Sequence, residues 1–211
     1  IDQRGDQIVT QDINNAVAMF QSSNASIPFD INIVDGCDCS QMFFGYNGSK
    51  RPKINGAIGA GTQMYCAMSY HDENIGDLTF DNSQSYDYEG MFSNSTGLKS
   101  IGTLTNMRPN QIKEMFKECY KLRYLPTFVN LDLTDMRTND WAYFENMFYN
   151  CYSLRSIPED FLKELWVPVG QSWNGHFAYM FYNCHALDEI RGFNPQSPSF
   201  TSNKKGDAFR N

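Results

Sequence analysis

MFYNCYSLRSIPEDF, from Met147 to Phe161, decides the fold because the chain writes it more than once. Thirty-three residues later stands MFYNCHALDEIRGF, starting at Met180, and thirty-two residues earlier MFKECYKLRYLPTF, starting at Met115. With the Met as position zero, all three carry Phe at +1, Cys at +4, Leu at +7 and Leu or Ile at +10. A fourth copy, MFSNSTGLKSIGTL from Met91, keeps the pattern with Ser95 in place of the Cys. Weaker starts lie at Met19-Phe20, Met42-Phe43 and Met64-Tyr65. A fixed-period repeat of this kind sets the whole architecture.

Within one unit, position −3 is Tyr88, Ile112, Phe144 or Phe177, so the apolar offsets run −3, 0, +1, +4 and +7. That spacing fits one face of an α-helix. After +7 the residues take on an extended character, and Pro126 and Pro158 at +11 forbid further helix. Each unit therefore reads as a helix of two to three turns followed by a short strand. Neither element can bury its apolar side alone, so successive units must stack. The expectation is an α/β solenoid of about seven repeats, with one parallel sheet on one side and helices on the other. The confident repeats span 88–193 and degenerate ones 16–87, with caps or linkers at 1–15 and 194–211.

The run [F/I]-x-x-M-F-x-x-C-x-x-L-x-x-[I/L] resembles the BspA-like leucine-rich repeats of bacterial surface proteins, in the Met-Phe form found in gut bacteria. The resemblance implies a leucine-rich-repeat solenoid at the cell surface or secreted, serving adhesion by binding a protein or glycan on a host or neighbouring cell. A different class of function suits the same pattern: a structural or receptor-binding component of a larger assembly, such as a bacteriophage tail or head fibre, which would place the chain in a virion. A chain beginning with Ile suits either a processed protein or a domain of a longer one.

The 211 residues are 41% hydrophobic and 15% aromatic, enough to bury a core as one domain. The net charge of −7 argues against nucleic-acid binding, which relies on clustered cations. No apolar run approaches the roughly 20 residues of a membrane helix.

Cys119, Cys151 and Cys184 share position +4 and read as small buried residues in one column, packed helices being about 8–10 Å apart and too far for disulfides. Cys37-x-Cys39 lacks a second ligand pair for a metal, so it too reads as structural. Arg4-Gly5-Asp6 reads as an exposed N-terminal segment, and the acidic, tyrosine-bearing stretch around Asp81–Glu89 as a solvated loop without calcium-loop spacing. His71, His176 and His185 are the only histidines. His185 follows Cys184, but adjacent helical residues point about 100° apart and make no dyad. His176, at −4, suits a capping role. No hydrolase, metalloprotease or phosphate-loop motif is present, so the expectation is a chain that is no enzyme and has no cofactor or metal.

Two candidate contact regions remain. The longer steps after Met115 and Met147 hold all three tryptophans, and solenoid insertions project as loops. Trp141 and Trp173 extend the helical stripe and read as core, whereas Trp166 is a candidate loop contact. On the open face of the sheet, position +8 reads Lys99, Arg123, Arg155 and Asp188, and +9 reads Ser100, Tyr124, Ser156 and Glu189. Lys99, Arg123 and Arg155 would stack as a cationic ladder for an anionic partner, with Tyr124 as a flat contact and Asp188 and Glu189 closing the face.

Overall fold

The computed structural model describes residues 13–24, 30–48, 53–68, 74–138, 144–158, 161 and 178–190. They form a parallel β-solenoid with almost no helix: every strand pairing is parallel. The strands are short and fall into five small sheets rather than one. Ile13–Asn15, Asp30–Asp38 and Lys53–Asn55 make one, and Thr127–Val129, Thr103–Thr105 and Leu78–Thr79 another. Ser156–Ile157 pairs with Glu189–Ile190, Asn74–Ile75 with Ser100–Ile101, and Tyr86–Asp87 with Pro109–Gln111.

The expected helices are not there. The Met-Phe stretch is a run of consecutive tight turns, closed by bonds from residue 0 to −3, from +2 to −1 and from +4 to +1, as in Met115→Ile112, Lys117→Glu114 and Cys119→Phe116. Positions −1 and +3 have positive φ in all seven copies of the start, from Ala18 and Ser22 through Glu114 and Glu118 to Tyr179 and Asn183. An α-helix cannot hold left-handed residues at such intervals, whereas a type II turn requires one at its third position.

The flipped peptides explain why turns win. Amides at −1, +1 and +3 no longer point along the local chain and instead donate to the next coil. Glu114, Phe116 and Glu118 donate to the carbonyls of Glu145, Met147 and Tyr149 at 3.1, 3.0 and 2.8 Å. At +1 the same bond runs from Phe20 to Met42, Phe43 to Met64, Tyr65 to Met91, Phe92 to Met115, Phe116 to Met147 and Phe148 to Met180. Half of the turn amides are thus satisfied within a coil and half between coils, so the ladder continues around the bend.

The side chains follow the backbone register. Phe20, Phe43, Tyr65, Phe92, Phe116, Phe148 and Phe181 form one file of rings, with successive centroids 5.3–5.6 Å apart and near-parallel planes. Each contact adds about 0.5–1.5 kcal/mol beyond the area buried. The methionines from Met42 to Met180 are buried beside it, whereas Met19 at the N-terminal edge is 41% exposed. Polar side chains lock the entrance to the turn: at −4, Asn15, Asp38, Asp87 and Gln111 accept the N–H two residues on. Gly56 is required where it stands, because φ is +118° and a side chain would run into the Ile33 carbonyl.

The first insertion does not project over its described length. A 3-10 turn at Thr134–Thr138 packs down, burying Leu133 and Met136, and Asp135 pairs with Arg108 at 2.8 Å. Among the described residues no helix is long and apolar enough to cross a membrane.

Candidate functional site

Arg123 and Arg155 sit at +8 on consecutive coils, and the backbone holds them in register. The Arg155 amide donates to the Arg123 carbonyl at 3.0 Å, and the Asp188 amide donates to Arg155 at the same distance. One position on, Tyr124 bridges Ser156, which pairs with Glu189. The structure therefore brings Arg123, Arg155 and Asp188 into one column. Arg123, Arg155 and Asp188 are all exposed. Among the described residues no ion pair holds either guanidinium.

Lys99 stands at +8 on the coil before Arg123. Its neighbour Ser100 pairs with Asn74, while the coil of Arg123 pairs with this one only further along, through Thr103–Thr105. Lys99 is exposed, and that register, run back four residues, sets it level with Arg123, while Asp188 reverses the sign at the other end of the column. Arg123 and Arg155 are the two of its cations joined directly by a backbone bond. Of Glu189 only the backbone pairing is described, and Trp166, with Trp141, Trp173, His71, His176 and Arg4-Gly5-Asp6, lies outside the described residues.

Beside the pair runs a groove of about 460 Å³. Tyr124, Pro126, Phe128, Ser156, Pro158 and Phe161 line it, and Thr127 and Asn130 add a hydroxyl and an amide. The prolines that end the repeat signature build its walls, since a residue without an N–H is tolerated where no ladder bond is needed. Phe128 and Phe161 pack at 5.2 Å, and Tyr124 is 57% exposed at the rim. Sequence reasoning found Tyr124 but missed Pro126, Phe128, Pro158 and Phe161 as a wall. The signal was the P-x-F or P-x-x-F that follows the turns of Cys119 and Cys151.

A second groove, of about 690 Å³, lies on the turn edge between Lys117, Glu118, Asn146, Tyr149 and Tyr182. Its charges are spent on one another. Lys113 pairs with Glu145 and Lys117 with Glu114, both at 3.1 Å, while Asn183 donates to Asn150 and Asn150 to Glu118 at 2.9 Å. The Tyr149–Tyr182 and Tyr120–Tyr152–His185 stacks turn their faces to each other rather than outwards. The Glu118 carboxylate beside the Tyr120 hydroxyl pushes that phenol up to about 12.

The six cysteines are buried and free. The expected reason for the lack of disulfides was wrong, because coils sit at β spacing of about 4.8 Å and not at helix spacing, and that distance does not forbid a bridge. Each thiol in the column is otherwise engaged: Cys119, Cys151 and Cys184 donate to the carbonyls of Phe92, Phe116 and Phe148 at 3.0–3.1 Å. Ser95 does the same to Tyr65 at 2.5 Å. Burial pushes all these thiols up, that of Cys184 to about 12, which makes them poor nucleophiles. Cys184 faces the core while His185 stacks outside on Tyr152 at 5.7 Å, so the two do not form a catalytic pair. Cys37 and Cys39, two apart along a strand that ends at Asp38, are both in the core. Among the described residues no group of three or more His, Cys, Asp or Glu is placed to hold a metal ion. The acidic loop is structural as well: Asp81 accepts from Ser83 at 2.7 Å and Tyr86 at 2.6 Å, which holds its carboxyl below the usual range.

No family model matches this chain, nor does any curated protein or solved structure.

Proposed function

We propose that this chain is a non-catalytic binding module of the BspA-like leucine-rich-repeat kind, displayed on a cell surface or secreted, that holds a protein or glycan on its strand face. On this reading the seven Met-aromatic starts are seven repeat units, the first three included. The observation that supports it is the exposed Arg123–Arg155 pair beside an open, aromatic-walled groove on a chain of net charge −7. Half-buried Arg108 is matched by Asp135, whereas among the described residues neither arginine of this pair has an acid partner. The test is binding of the labelled chain to immobilised epithelial-cell surface material by interferometry. Binding that falls at least tenfold in R123E/R155E supports the reading. Binding that is unchanged in that variant, or no binding to any surface tried, defeats it.

A second reading, a component of a larger assembly such as a virion fibre, is favoured by the N-terminal edge. The carbonyls of Val17, Met19 and Gln21 stand where every later coil receives amides, and among the described residues nothing donates to them. Val17 and Met19 are also 44% and 41% exposed there. Light scattering of the purified chain would favour it by showing concentration-dependent growth that Met19→Lys abolishes.

A further inference from the structure

We infer that the groove beside Arg123 and Arg155 is a subsite for an anionic saccharide, a pyranose bearing a carboxylate or a sulfate, and this rests on the binding-module reading. Size is the first argument. A groove of about 460 Å³ falls within the ordinary range for small-ligand sites of about 300–1,000 Å³, whereas a protein partner needs on the order of 1,000 Å² of contact. One or two sugar rings suit the groove, and a protein surface does not.

The lining is the second argument. The exposed ring of Tyr124 offers a flat, electron-rich face to the polarised C–H groups on one side of a pyranose. Ser156, Thr127 and Asn130 supply a hydroxyl, a second hydroxyl and an amide for ring hydroxyls. Apolar walls with a few convergent polar groups are how small-ligand sites fix orientation.

Charge is the third. Arg123 and Arg155 each precede a groove residue by one position, Tyr124 and Ser156, and the 3.0 Å backbone bond sets their Cα atoms about 5 Å apart. Two exposed guanidiniums at that spacing straddle one oxyanion, which a guanidinium fork binds through paired N–H donors. Asp188, next in the column, ends the positive patch on that side. A long polyanion would meet repulsion there and from the net charge of the whole chain, so a short acidic glycan end is favoured over an extended one.

The experiment is calorimetric titration of the intact chain with sialyllactose, with a sulfated disaccharide and with lactose, at low and at physiological salt. One or both acidic sugars bind at least tenfold more tightly than lactose, binding weakens with salt, and the two acidic probes separate carboxylate from sulfate recognition. R123E/R155E abolishes binding, Tyr124→Ala weakens it at least tenfold, and Lys53→Glu, exposed on a coil far from the groove, leaves it unchanged. All these side chains are exposed, and a thermal melt confirms that the variants fold. Equal affinity for lactose, or no effect of Tyr124→Ala, overturns the inference. So does failure of every sugar while a surface protein still binds through Arg123 and Arg155, an outcome that leaves the binding-module reading standing. Failure of both sugars and surfaces overturns both.

Discussion

Replacing Cys151 separates two accounts of the +4 column. If the thiol only fills space, Val should serve nearly as well and Ser, with a buried hydroxyl, should be worst. The structure argues for a donor. Cys151 is fully buried and bonds the Phe116 carbonyl at 3.0 Å, and Ser95 already performs the same task two column positions earlier. For Cys151→Ala, the void left by sulfur, on the order of 20 Å³, costs about 0.5 kcal/mol at about 24 cal/mol per Å³. Removing the second of the carbonyl's two bonds, the Cys119 amide keeping the other at 3.2 Å, adds about 0.5–1.5 kcal/mol, for a total near ~1.5 kcal/mol. Cys151→Ser keeps the donor and should lose about 1 kcal/mol or less. Cys151→Val loses the donor and also crowds a site whose neighbouring coils lie about 4.8 Å away, so it should lose about 2–3 kcal/mol. Urea midpoints at constant m-value measure the series. The order wild type, Ser, Ala, Val is expected; Val equal to wild type, or Ser below Ala, refutes the donor role.

Other consequences follow from the same geometry. Ala67 is exposed with φ at +54°, so Ala67→Gly should stabilise by about 0.5–1 kcal/mol in the same urea assay, the opposite of what a helix would do. Phe116→Ala opens the middle of the ring file and should cost about 3–5 kcal/mol, read as a fall in urea midpoint. Stability should also fall with alkaline pH. The Cys119, Cys151 and Cys184 thiols are raised above their ordinary value of 9.0, so their contribution is complete below pH 9 and drains away as the unfolded chain ionises above it. The loss approaches about 1.4 kcal/mol per pH unit for each thiol, and a midpoint that stays level from pH 8 to 10.5 would speak against the burial. Native-state alkylation of these three should be undetectable without denaturant.

The solenoid was legible in the sequence, and its local conformation was not. Offsets −3, 0, +1, +4 and +7 serve an α-helical face and a chain of four-residue turns equally well, because both return to the core every three to four residues. What separates them is the residue at −1 and +3. Six of the fourteen such places hold Gly or Asn (Gly90, Asn146, Gly45, Asn94, Asn150 and Asn183), the residues that enter left-handed conformations most readily. The same turns hid the reason for Cys at +4, since Ser95 as its substitute pointed to a hydrogen-bond donor rather than to a small apolar filler. On the open face, counting from the Met found Arg123, Tyr124, Arg155 and Asp188. Lys99 also follows the count, one coil before Arg123, where the strand pairing of the two coils is made further along at Thr103–Thr105. The groove walls came from Pro126 and Pro158, which the sequence offered only as the end of a helix.

The position of every exposed face depends on amides donating between coils, and that can be observed directly. Hydrogen-bond scalar couplings in a deuterated, 15N,13C-labelled sample report which carbonyl each amide meets. Cross-peaks from the Phe116 amide to the Met147 carbonyl and from the Glu118 amide to Tyr149 are predicted. Couplings from Cys119 to Met115 and from Glu118 to Glu114, four residues back in each case, would restore the helix and contradict the account.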